Sequence, residues 1–237
     1  MTLHASVAAN LANIRARIAA AARRAGRDAA GIKLVAVSKA FGADHVRAAY
    51  AAGQRDFGEN KVQEALQKVA DTTDMPDIRW HLIGHLQSNK ARKAAGPFAC
   101  IQSVDSLDLL YRLDAAAAGQ GTAFDVLVQV DLAGEATKFG AAEVEVEQLV
   151  RAALGARTVR LAGLMLVPPW NDDQEQTRPW FVKLREFRDA LALRNVPASA
   201  LRHLSMGMSH DFEAAIEEGA TMVRVGTAIF GKRTARA

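Results

Sequence analysis

Cysteine, aromatic residues and long apolar runs are scarce in this sequence. Its single cysteine, Cys100, cannot form an intrachain disulfide, which excludes a disulfide-stapled domain and favours a reducing compartment. No apolar run approaches the roughly 20 residues that span a bilayer. Arginines at positions 15, 17, 23 and 24 interrupt the N-terminal stretch where a signal peptide would need apolar residues. We therefore expect a cytoplasmic protein without a membrane partner.

The charged residues do not favour a nucleic-acid partner. Half of the 237 residues are hydrophobic and 24% are charged, which is ordinary for a soluble globular protein. The formal net charge is +4, but most arginines lie at helical spacing among alanines, as in RARIAAAARR. The aromatic residues that interleave with basic ones at nucleic-acid surfaces are missing. We expect these arginines to lie on solvated helix faces.

The apolar pattern predicts one helix followed by a repeating strand and helix order. Apolar residues at spacings of three and four predict an amphipathic helix over residues 1–26. Eight strands are then predicted, each separated from the next by a helical or turn-like stretch: IKLVAVSK, RDFG, IRWHLIG, FACIQSV, AFDVLVQVDL, TVRLAGLMLV, LRHLSM and TMVRVG. Such alternation gives a parallel sheet, and a count of eight favours closure over an open doubly wound sheet. The predicted fold class is therefore α/β, a single (β/α)8 TIM barrel over residues 32–231 with an extra N-terminal helix, in one domain spanning residues 1–237.

Lys39 follows the buried strand segment LVAVS, where a barrel strand ends and its loop begins. In barrels this end of the strands carries the catalytic residues. A lysine here either extends its amine to solvent at the rim or is placed for reactivity, and position alone does not separate the two. Burial would lower the pKa of the amine from its reference of about 10.4 and supply the neutral nucleophile that forms a Schiff base.

Two glycine-containing turns near the ends of the last two strands predict a phosphate site. They are SMGMS at 205–209 and VGTAIFG at 225–231. Gly207 and Gly226 allow the backbone to approach a ligand closely. Ser209 and Thr227 add hydroxyls, and a helix starting after either turn presents free N–H groups to an anion. The alternative is that Ser209 only caps a helix beginning at His210.

Arg224 and Asn60 are further candidate ligand contacts. Arg224 lies in the apolar strand TMVRVG, where an inward-facing guanidinium needs a partner because an unpaired buried charge is costly. That partner is either a structural carboxylate or a ligand, and a planar donor fork suits a ring nitrogen or a phosphate. Asn60 follows the second strand and either offers its amide to a ligand or caps the next helix.

The histidines and the cysteine do not indicate a metal site. His81 and His85 lie on a strand that ends at Gly84. At a rise of roughly 3.3 Å per residue their side chains would stand about 13 Å apart, too far to share one ion. Cys100 lies within an apolar strand, which predicts a core position.

Together these segments resemble the YggS/PROSC family of pyridoxal phosphate homeostasis proteins, which are similar to the barrel domain of alanine racemase standing alone. The resemblance runs in order through LVAVSK, FGENKVQEA, WHLIGHLQSNK, LAGLMLVPP and LSMGMSHDFEAAIEEGATMVRVGTAIFG, so it covers nearly the whole chain. It implies that pyridoxal 5′-phosphate is the cofactor and that Lys39 holds it as an internal aldimine, a Schiff base.

The resemblance also implies roles for individual residues. The phosphate-holding positions correspond to Ser209, Gly226 and Thr227. Arg224 corresponds to the arginine near the pyridine nitrogen, Met208 lies against the cofactor, and Asn60 lies beside it. An arginine at the ring nitrogen disfavours its protonation, which weakens carbanion chemistry. The resemblance implies no catalytic residue and no metal.

The resemblance finally implies a role without turnover. A racemase needs a second acid/base group on the opposite face of its substrate, which that family takes from a C-terminal domain. This sequence ends at GKRTARA directly after the barrel, so we expect no such domain. The expected protein is monomeric or weakly dimeric, takes part in intracellular pyridoxal phosphate homeostasis, and hands the cofactor to dependent apoenzymes. Two alternatives are a pyridoxal-phosphate-dependent amino-acid racemase and a Schiff-base aldolase acting on a sugar phosphate.

Overall fold

The computed structural model describes residues 2–134 and 139–231, and in that part of the chain eight parallel strands close into a barrel. The barrel strands are β1 (Lys33–Val37), β2 (Asp56–Glu59), β3 (Arg79–Leu82), β4 (Cys100–Val104), β5 (Phe124–Asp131), β7 (Val159–Leu166), β8 (His203–Ser205) and β9 (Met222–Val225), and a short strand β6 (Ala141–Ala142) lies between β5 and β7 in sequence. Strand β1 pairs with both β2 and β9, and β4 pairs with β5, so the sheet closes on itself. The predicted (β/α)8 TIM barrel is confirmed, whereas the assignment of the whole chain to one domain stays a prediction.

Strand β6 is an addition that the sequence did not predict. It pairs in parallel with the end of β5 through Val130 and Asp131, outside the closed ring. A strand of two residues has too few positions to show an alternating apolar pattern. Its pairing therefore depends on the neighbouring strand and not on its own sequence.

Helices follow most of the strands and cover the outside of the barrel. They are α1 (Leu3–Arg24), α2 (Ala43–Ala51), α3 (Val62–Asp71), α4 (Ala91–Ala94), α5 (Leu107–Gln120), α6 (Glu143–Leu154), α7 (Arg178–Leu193), α8 (Phe212–Glu217) and α9 (Thr227–Phe230). None of the helices in residues 2–134 and 139–231 combines the length and apolarity that crossing a bilayer requires.

The N-terminal helix is confirmed, two residues shorter at its C-terminal end than the predicted span of 1–26. Thr2 caps it by accepting a hydrogen bond from the Ala5 backbone N–H at 3.3 Å, and Met1 lies outside the described residues. Its buried stripe packs α1 against α2, α8 and α9, near the strands that begin and end the barrel. Asn10 adds a hydrogen bond of 2.8 Å from its amide to the Ile229 carbonyl in α9.

Alternate strand residues lie in two different environments. One set packs with the buried helix residues in a large apolar cluster, which we call the shell; Leu34 and Ala36 of β1 belong to it. The opposite set faces the space enclosed by the strands, which we call the barrel interior. The apolar cluster of the barrel interior is small and consists of Cys100, Leu127, Ala162, Met165 and Met222, with Val167 packed against it. Polar side chains occupy much of the remaining interior.

Candidate functional site

A cavity of about 350 Å³ lies at the carboxyl ends of the barrel strands. It is lined by Val37, Lys39, Ile83, Trp170, Met208, Ser209, His210, Arg224, Gly226 and Thr227. Six of the seven residues predicted to contact a ligand therefore lie around one cavity, although Lys39 is more than 160 positions from the other five in the sequence. Its volume falls in the range of small-molecule sites, and its position is the end of the barrel where such sites form.

The loop after β1 places Lys39 on the cavity wall. Lys39 is half-buried and follows the last residue of β1 by two positions. The next residues form a tight turn in which the Phe41 N–H donates to the Ser38 carbonyl at 3.0 Å. Ala40 occupies that turn with φ of 66°, a left-handed conformation that costs a residue with a Cβ roughly 1 kcal/mol or more. The backbone on both sides of Lys39 is thus constrained.

The two predicted phosphate turns meet through a direct hydrogen bond. The Gly226 N–H donates to Ser209 Oγ at 3.2 Å, so the loops after β8 and β9 are held together at the cavity. The alternative that Ser209 caps a helix at His210 is wrong, because α8 begins at Phe212 with Asp211 as its N-cap residue. Thr227 is exposed and begins α9, where the first N–H groups of the helix need acceptors outside it.

Gly207 allows the first of these turns to lie against α8. Its φ is 89°, and a Cβ at this position would stand 2.6 Å from the Ala215 Cβ and 2.9 Å from the Phe212 Cα. Both distances are far below van der Waals contact, and the Phe212 backbone cannot move without moving the helix. A side chain at position 207 would therefore displace Met208 and Ser209 from the cavity.

Arg224 is buried at the base of the cavity with neutral partners. It is 4% exposed, its Nη1 donates to Ser205 Oγ at 2.6 Å, and its Nη2 donates to the Leu166 carbonyl at 2.8 Å. Burial lowers the pKa of Arg224 to about 10, which leaves the guanidinium charged at neutral pH. Among the described residues no carboxylate forms a salt bridge with it. Of the two alternatives left open by the sequence, the structural carboxylate is therefore not seen.

Asn60 is placed differently from the other six predicted residues. It does not line the cavity, and it does not cap the next helix, since the N-cap of α3 is Lys61. Its backbone packs so closely on Gly84 that a Cβ there would lie 2.4 Å from the Asn60 carbonyl oxygen. Its Oδ1 is buried and accepts no hydrogen bond. An unsatisfied buried acceptor is costly, so this amide is left for a partner outside the chain.

Trp170 and His210 also line the cavity, and neither was predicted from the sequence. Their rings lie with centroids 4.0 Å apart, and Trp170 is 66% exposed. Trp170 belongs to the VPPW segment that follows β7, which ends at Leu166. The signal that could have found Trp170 is its position: a tryptophan directly after a barrel strand, on the functional end of the fold.

A buried polar cluster lies directly behind Lys39 and was also missed. Ser38 Oγ donates to Glu59 Oε1 at 2.6 Å, and Lys68 Nζ donates both to the same oxygen at 2.6 Å and to the Ser38 carbonyl at 2.7 Å. Glu59 is fully buried and Lys68 is 6% exposed. Burial raises the pKa of Glu59, and the hydrogen bond and charge of Lys68 counteract that rise. We call this the Ser38–Glu59–Lys68 cluster, and it anchors the peptide bond that precedes Lys39.

The two histidines considered as metal ligands have separate protein partners. His81 lies in the barrel interior and contacts Asp56, whereas His85 pairs with Asp105 at 3.3 Å. Within the described ranges no group of three His, Cys, Asp or Glu residues is arranged to hold a metal ion. Cys100 is buried in the small interior cluster, as predicted, and burial raises the pKa of its thiol.

A larger cavity of about 460 Å³ opens at the opposite end of the barrel. Its cationic residues already have partners: Arg79 binds Asp56 through two hydrogen bonds of 2.6 and 3.0 Å, and Lys33 lies 3.7 Å from the same carboxylate. That end of a barrel generally contributes to stability rather than to catalysis or binding. The cavity around Lys39 is therefore the candidate site despite its smaller volume.

Comparisons with known proteins identify the family of the chain. Residues 9–234 match the family described as alanine racemase, N-terminal domain. The chain is 45% identical over 228 residues to the pyridoxal phosphate homeostasis protein of Pseudomonas aeruginosa, covering 96% of both chains. It is 43% identical over 224 residues to the protein of that name from Aquifex aeolicus, covering 94% of this chain and 96% of the relative.

Solved structures give the same result. PipY of Synechococcus elongatus is 41% identical and aligns over 95% of this chain and all of its own, with a TM-score of 0.85 without pyridoxal phosphate and 0.81 with it bound. Alanine racemase of Streptomyces coelicolor shares the fold at 24% identity, with a TM-score of 0.70, and this chain covers 59% of it.

Proposed function

The chain belongs to the alanine racemase N-terminal domain family and, within it, to the pyridoxal phosphate homeostasis proteins, and we propose that it holds pyridoxal 5′-phosphate in the cavity beside Lys39 for delivery, without turnover. The observation that carries the proposal is Arg224. Its guanidinium is desolvated at the base of a cavity, its hydrogen-bond partners are a hydroxyl and a carbonyl, and the charge of Asp211 acts on it without a salt bridge, so the positive charge is only partly offset. An anionic ligand offsets that charge.

The residues around the cavity fit the chemical groups of pyridoxal phosphate. The cofactor supplies an aldehyde that a neutral lysine amine attacks, with loss of water, to form a covalent carbon–nitrogen double bond. Lys39 presents that amine. Ser209 and Thr227 supply hydroxyls and lie beside the backbone N–H groups that begin α9, which is the chemistry that holds a phosphate.

Two further features support the fit. The buried Oδ1 of Asn60 accepts no hydrogen bond, which suits a donor group on a ligand or a bridging water. Met208 adds a flexible apolar wall that adapts to a flat ring. Met208, the two hydroxyls and Arg224 thus give the cavity wall apolar, neutral polar and cationic groups.

Arg224 also supports storage in preference to catalysis. A carboxylate at the pyridine nitrogen would keep that nitrogen protonated and make the ring a strong electron sink, whereas an arginine donates a hydrogen bond without giving up its proton. The relatives at 43% and 45% identity are named as homeostasis proteins. Apoenzymes that depend on pyridoxal phosphate are the recipients in this proposal.

The proposal is tested by loading wild type, Lys39→Ala and Lys61→Ala with pyridoxal phosphate, then reducing with borohydride and mapping the modified peptide by mass spectrometry. Lys61 is a matched control, because its side chain is 74% exposed and lies on the same end of the barrel. We expect an absorbance band of bound cofactor in wild type and Lys61→Ala, with reduction fixing it to Lys39. A wild type that takes up no cofactor, or labelling at Lys61 alone, overturns the proposal.

Turnover is measured separately with the loaded protein. Racemisation of alanine requires a second proton-transfer group, and His210 is the titratable wall residue that would have to supply it. We expect no sustained racemisation by the wild type. We also expect His210→Gln to transfer cofactor to an added apoenzyme as the wild type does. Sustained racemisation that disappears in His210→Gln would overturn the storage role and leave the binding site intact. Trapping by sugar phosphate but not by pyridoxal phosphate would instead indicate an aldolase.

A further inference from the structure

A continuous chain of buried side chains runs through the barrel interior from Arg224 to the opposite end. Arg224 Nη1 contacts Ser205 Oγ at 2.6 Å, and Ser205 Oγ contacts Gln102 Oε1 at 2.6 Å. Gln102 Nε2 contacts His81 Nδ1 at 3.1 Å, and His81 Nε2 contacts Asp56 Oδ1 at 2.9 Å. All five residues are at most 6% exposed. They come from β2, β3, β4, β8 and β9, so the chain crosses the whole interior.

In the first half of this chain the hydrogen bonds are donated from Arg224 towards Gln102. A guanidinium can only donate, so the Ser205 hydroxyl oxygen accepts from Arg224 and its own hydrogen is left for another acceptor. That acceptor is the carbonyl oxygen of the Gln102 amide. The amide orientation is fixed as a result, and the Gln102 NH2 group points towards His81.

The second half follows from the first. An NH2 group donates, so His81 Nδ1 accepts and carries no proton. The single hydrogen of a neutral imidazole then lies on Nε2, where it donates to the Asp56 carboxylate. Burial lowers the pKa of His81, while Asp56 raises it and Lys33 and Arg79 lower it, so the neutral form agrees with the groups that face it.

The far end of the chain is anchored by charge. Asp56 accepts two hydrogen bonds from Arg79 and lies 3.7 Å from Lys33 Nζ. Burial acts to raise the pKa of Asp56, but hydrogen bonds from His81 and Arg79 hold it below its usual value, so the carboxylate stays ionised. With a cationic donor at one end and an ionised acceptor at the other, every hydrogen bond in the chain is donated in the same direction, from Arg224 towards Asp56.

We infer that Asp56, His81, Gln102 and Ser205 are positioning residues for Arg224, and that their hydrogen-bond chain holds its guanidinium in one orientation against the ligand cavity. The inference deepens the proposed function and rests on it, since the guanidinium is taken to meet a bound cofactor. It predicts that substitutions in the barrel interior, out of contact with the cavity, change how tightly the cofactor is held.

The first test needs no cofactor. Long-range nitrogen–proton correlation NMR of the cofactor-free wild type distinguishes the two neutral imidazole tautomers and the charged form. We expect His81 to be neutral and protonated on Nε2 at pH 7. Protonation on Nδ1 or on both nitrogens would overturn the chain, because the Gln102 NH2 group would then face another donor.

Replacing Gln102 by a glutamate, a side chain of equal size, reverses the hydrogen bond between position 102 and His81. In Gln102→Glu a carboxylate replaces the amide, so it can accept both from the Ser205 hydroxyl and from a protonated His81 Nδ1. We expect His81 to become doubly protonated at pH 7 in this variant. An unchanged neutral His81 in the folded Gln102→Glu protein would contradict the assignment.

The second test measures the effect on the cofactor. Ser205→Ala removes both links at Ser205, the one to Arg224 and the one to Gln102. We expect pyridoxal phosphate to dissociate roughly tenfold faster, with a shifted absorbance maximum, because a hydrogen bond to a charged donor is lost. Thr177→Val is the matched control: it deletes another fully buried hydroxyl, which donates to the Gln174 carbonyl at 2.6 Å outside the barrel interior. We expect unchanged dissociation in this control.

The outcomes separate the inference from the proposed function. If Ser205→Ala folds and retains wild-type dissociation and absorbance, the positioning role is wrong although cofactor binding stands. If Ser205→Ala does not fold, Ser205→Thr, which retains the hydroxyl, is expected to restore wild-type dissociation, and the NMR test stands independently. If the wild type takes up no cofactor, the proposed function fails, while the His81 tautomer still decides whether the chain exists.

Discussion

The shell and the barrel interior are built from alternate residues of the same strands, yet they have opposite chemistry. The shell is a large apolar cluster in which phenylalanine and leucine side chains from strands and helices pack together. The interior has five buried apolar residues in its cluster, and a chain of hydrogen-bonded polar side chains fills the space beside them. A closed barrel therefore separates two tasks: burial outside the strands stabilises the fold, and polar contacts inside them orient the site.

The largest expected effect comes from the shell. Phe181 on α7 is fully buried, and Phe181→Ala should lower the free energy of unfolding by about 3–5 kcal/mol because it removes a ring from a close-packed region. The measurement is urea denaturation followed by circular dichroism. Leu193 on the same helix is 87% exposed, so Leu193→Ala should change stability by less than about 0.5 kcal/mol.

The same variant also tests whether the shell and the site are independent. Cofactor dissociation from the folded Phe181→Ala protein should equal that of wild type, because Phe181 belongs to the shell and is not among the residues that line the cavity. Faster dissociation would show that the shell and the site are coupled, and the separation of tasks would then be wrong.

The Ser38–Glu59–Lys68 cluster is an exception to the apolar shell, since it is a buried polar cluster whose Lys68 lies on helix α3 outside the strands. Lys68→Met should cost about 3 kcal/mol, because it leaves the Glu59 carboxylate buried without its cation. The loss should shrink as pH falls: burial raises the pKa of Glu59, and its protonated form needs no counter-charge.

The matched control is the double variant Glu59→Gln with Lys68→Met, which removes both charges. It should be more stable than Lys68→Met alone at pH 7. A double variant that is less stable than the single would show that packing, and not the unpaired carboxylate, determines the cost.

A smaller effect is expected from His81 in the barrel interior, as a dependence of the free energy of unfolding on pH. Burial lowers the pKa of His81, so below about pH 6.5 the unfolded chain binds a proton that the folded protein excludes. Stability should therefore fall as pH is lowered from 7 to 5, by at most about 1.4 kcal/mol per pH unit from this imidazole.

His81→Gln isolates that contribution. Burial lowers the pKa of His203 to about 4, which acts in the same direction, while burial raises the pKa of Glu59 and Asp105, which act in the opposite direction. All three remain in the variant, so the difference between the two urea-denaturation curves belongs to His81. An identical slope in both proteins would contradict a neutral, buried His81.

The smallest effect on stability is expected at the cavity wall. Trp170 is 66% exposed, so Trp170→Ala should change the free energy of unfolding by less than about 0.5 kcal/mol. Because the ring covers part of the cavity mouth, cofactor should dissociate a few-fold faster, as measured by transfer to an excess of apoenzyme. Equal dissociation rates in both proteins would show that the ring does not limit release.

The shell was predictable from the sequence because its residues repeat with the periods of helices and strands. Lys39 and Arg224 were found for a related reason: each is a charged residue in or next to an apolar strand, where its cost is evident. The polar chain was not found, because Gln102, Ser205 and His81 each look like an ordinary strand residue. Their role depends on which strands become neighbours when the barrel closes, and the local sequence pattern does not show this.

Two local interpretations failed for the same reason. Ser209 and Asn60 both fit the pattern of a helix cap, but the helices begin further along the chain, at Phe212 and Val62. The Gly226 N–H, from a different turn, uses the Ser209 hydroxyl that a cap would have needed. A long-range contact thus overrode a local preference that was reasonable on its own.

The exposed ring of Trp170 beside the cavity also has an optical consequence. Indole emission overlaps the absorption of bound pyridoxal phosphate, and energy transfer between them is efficient at short range. Trp80 is buried in β3 and Trp180 lies on α7, so a difference between wild type and Trp170→Phe isolates the signal of the cavity wall. We therefore expect the emission of Trp170 to fall as the cavity is loaded and to recover on release, so that both can be followed in real time without a label.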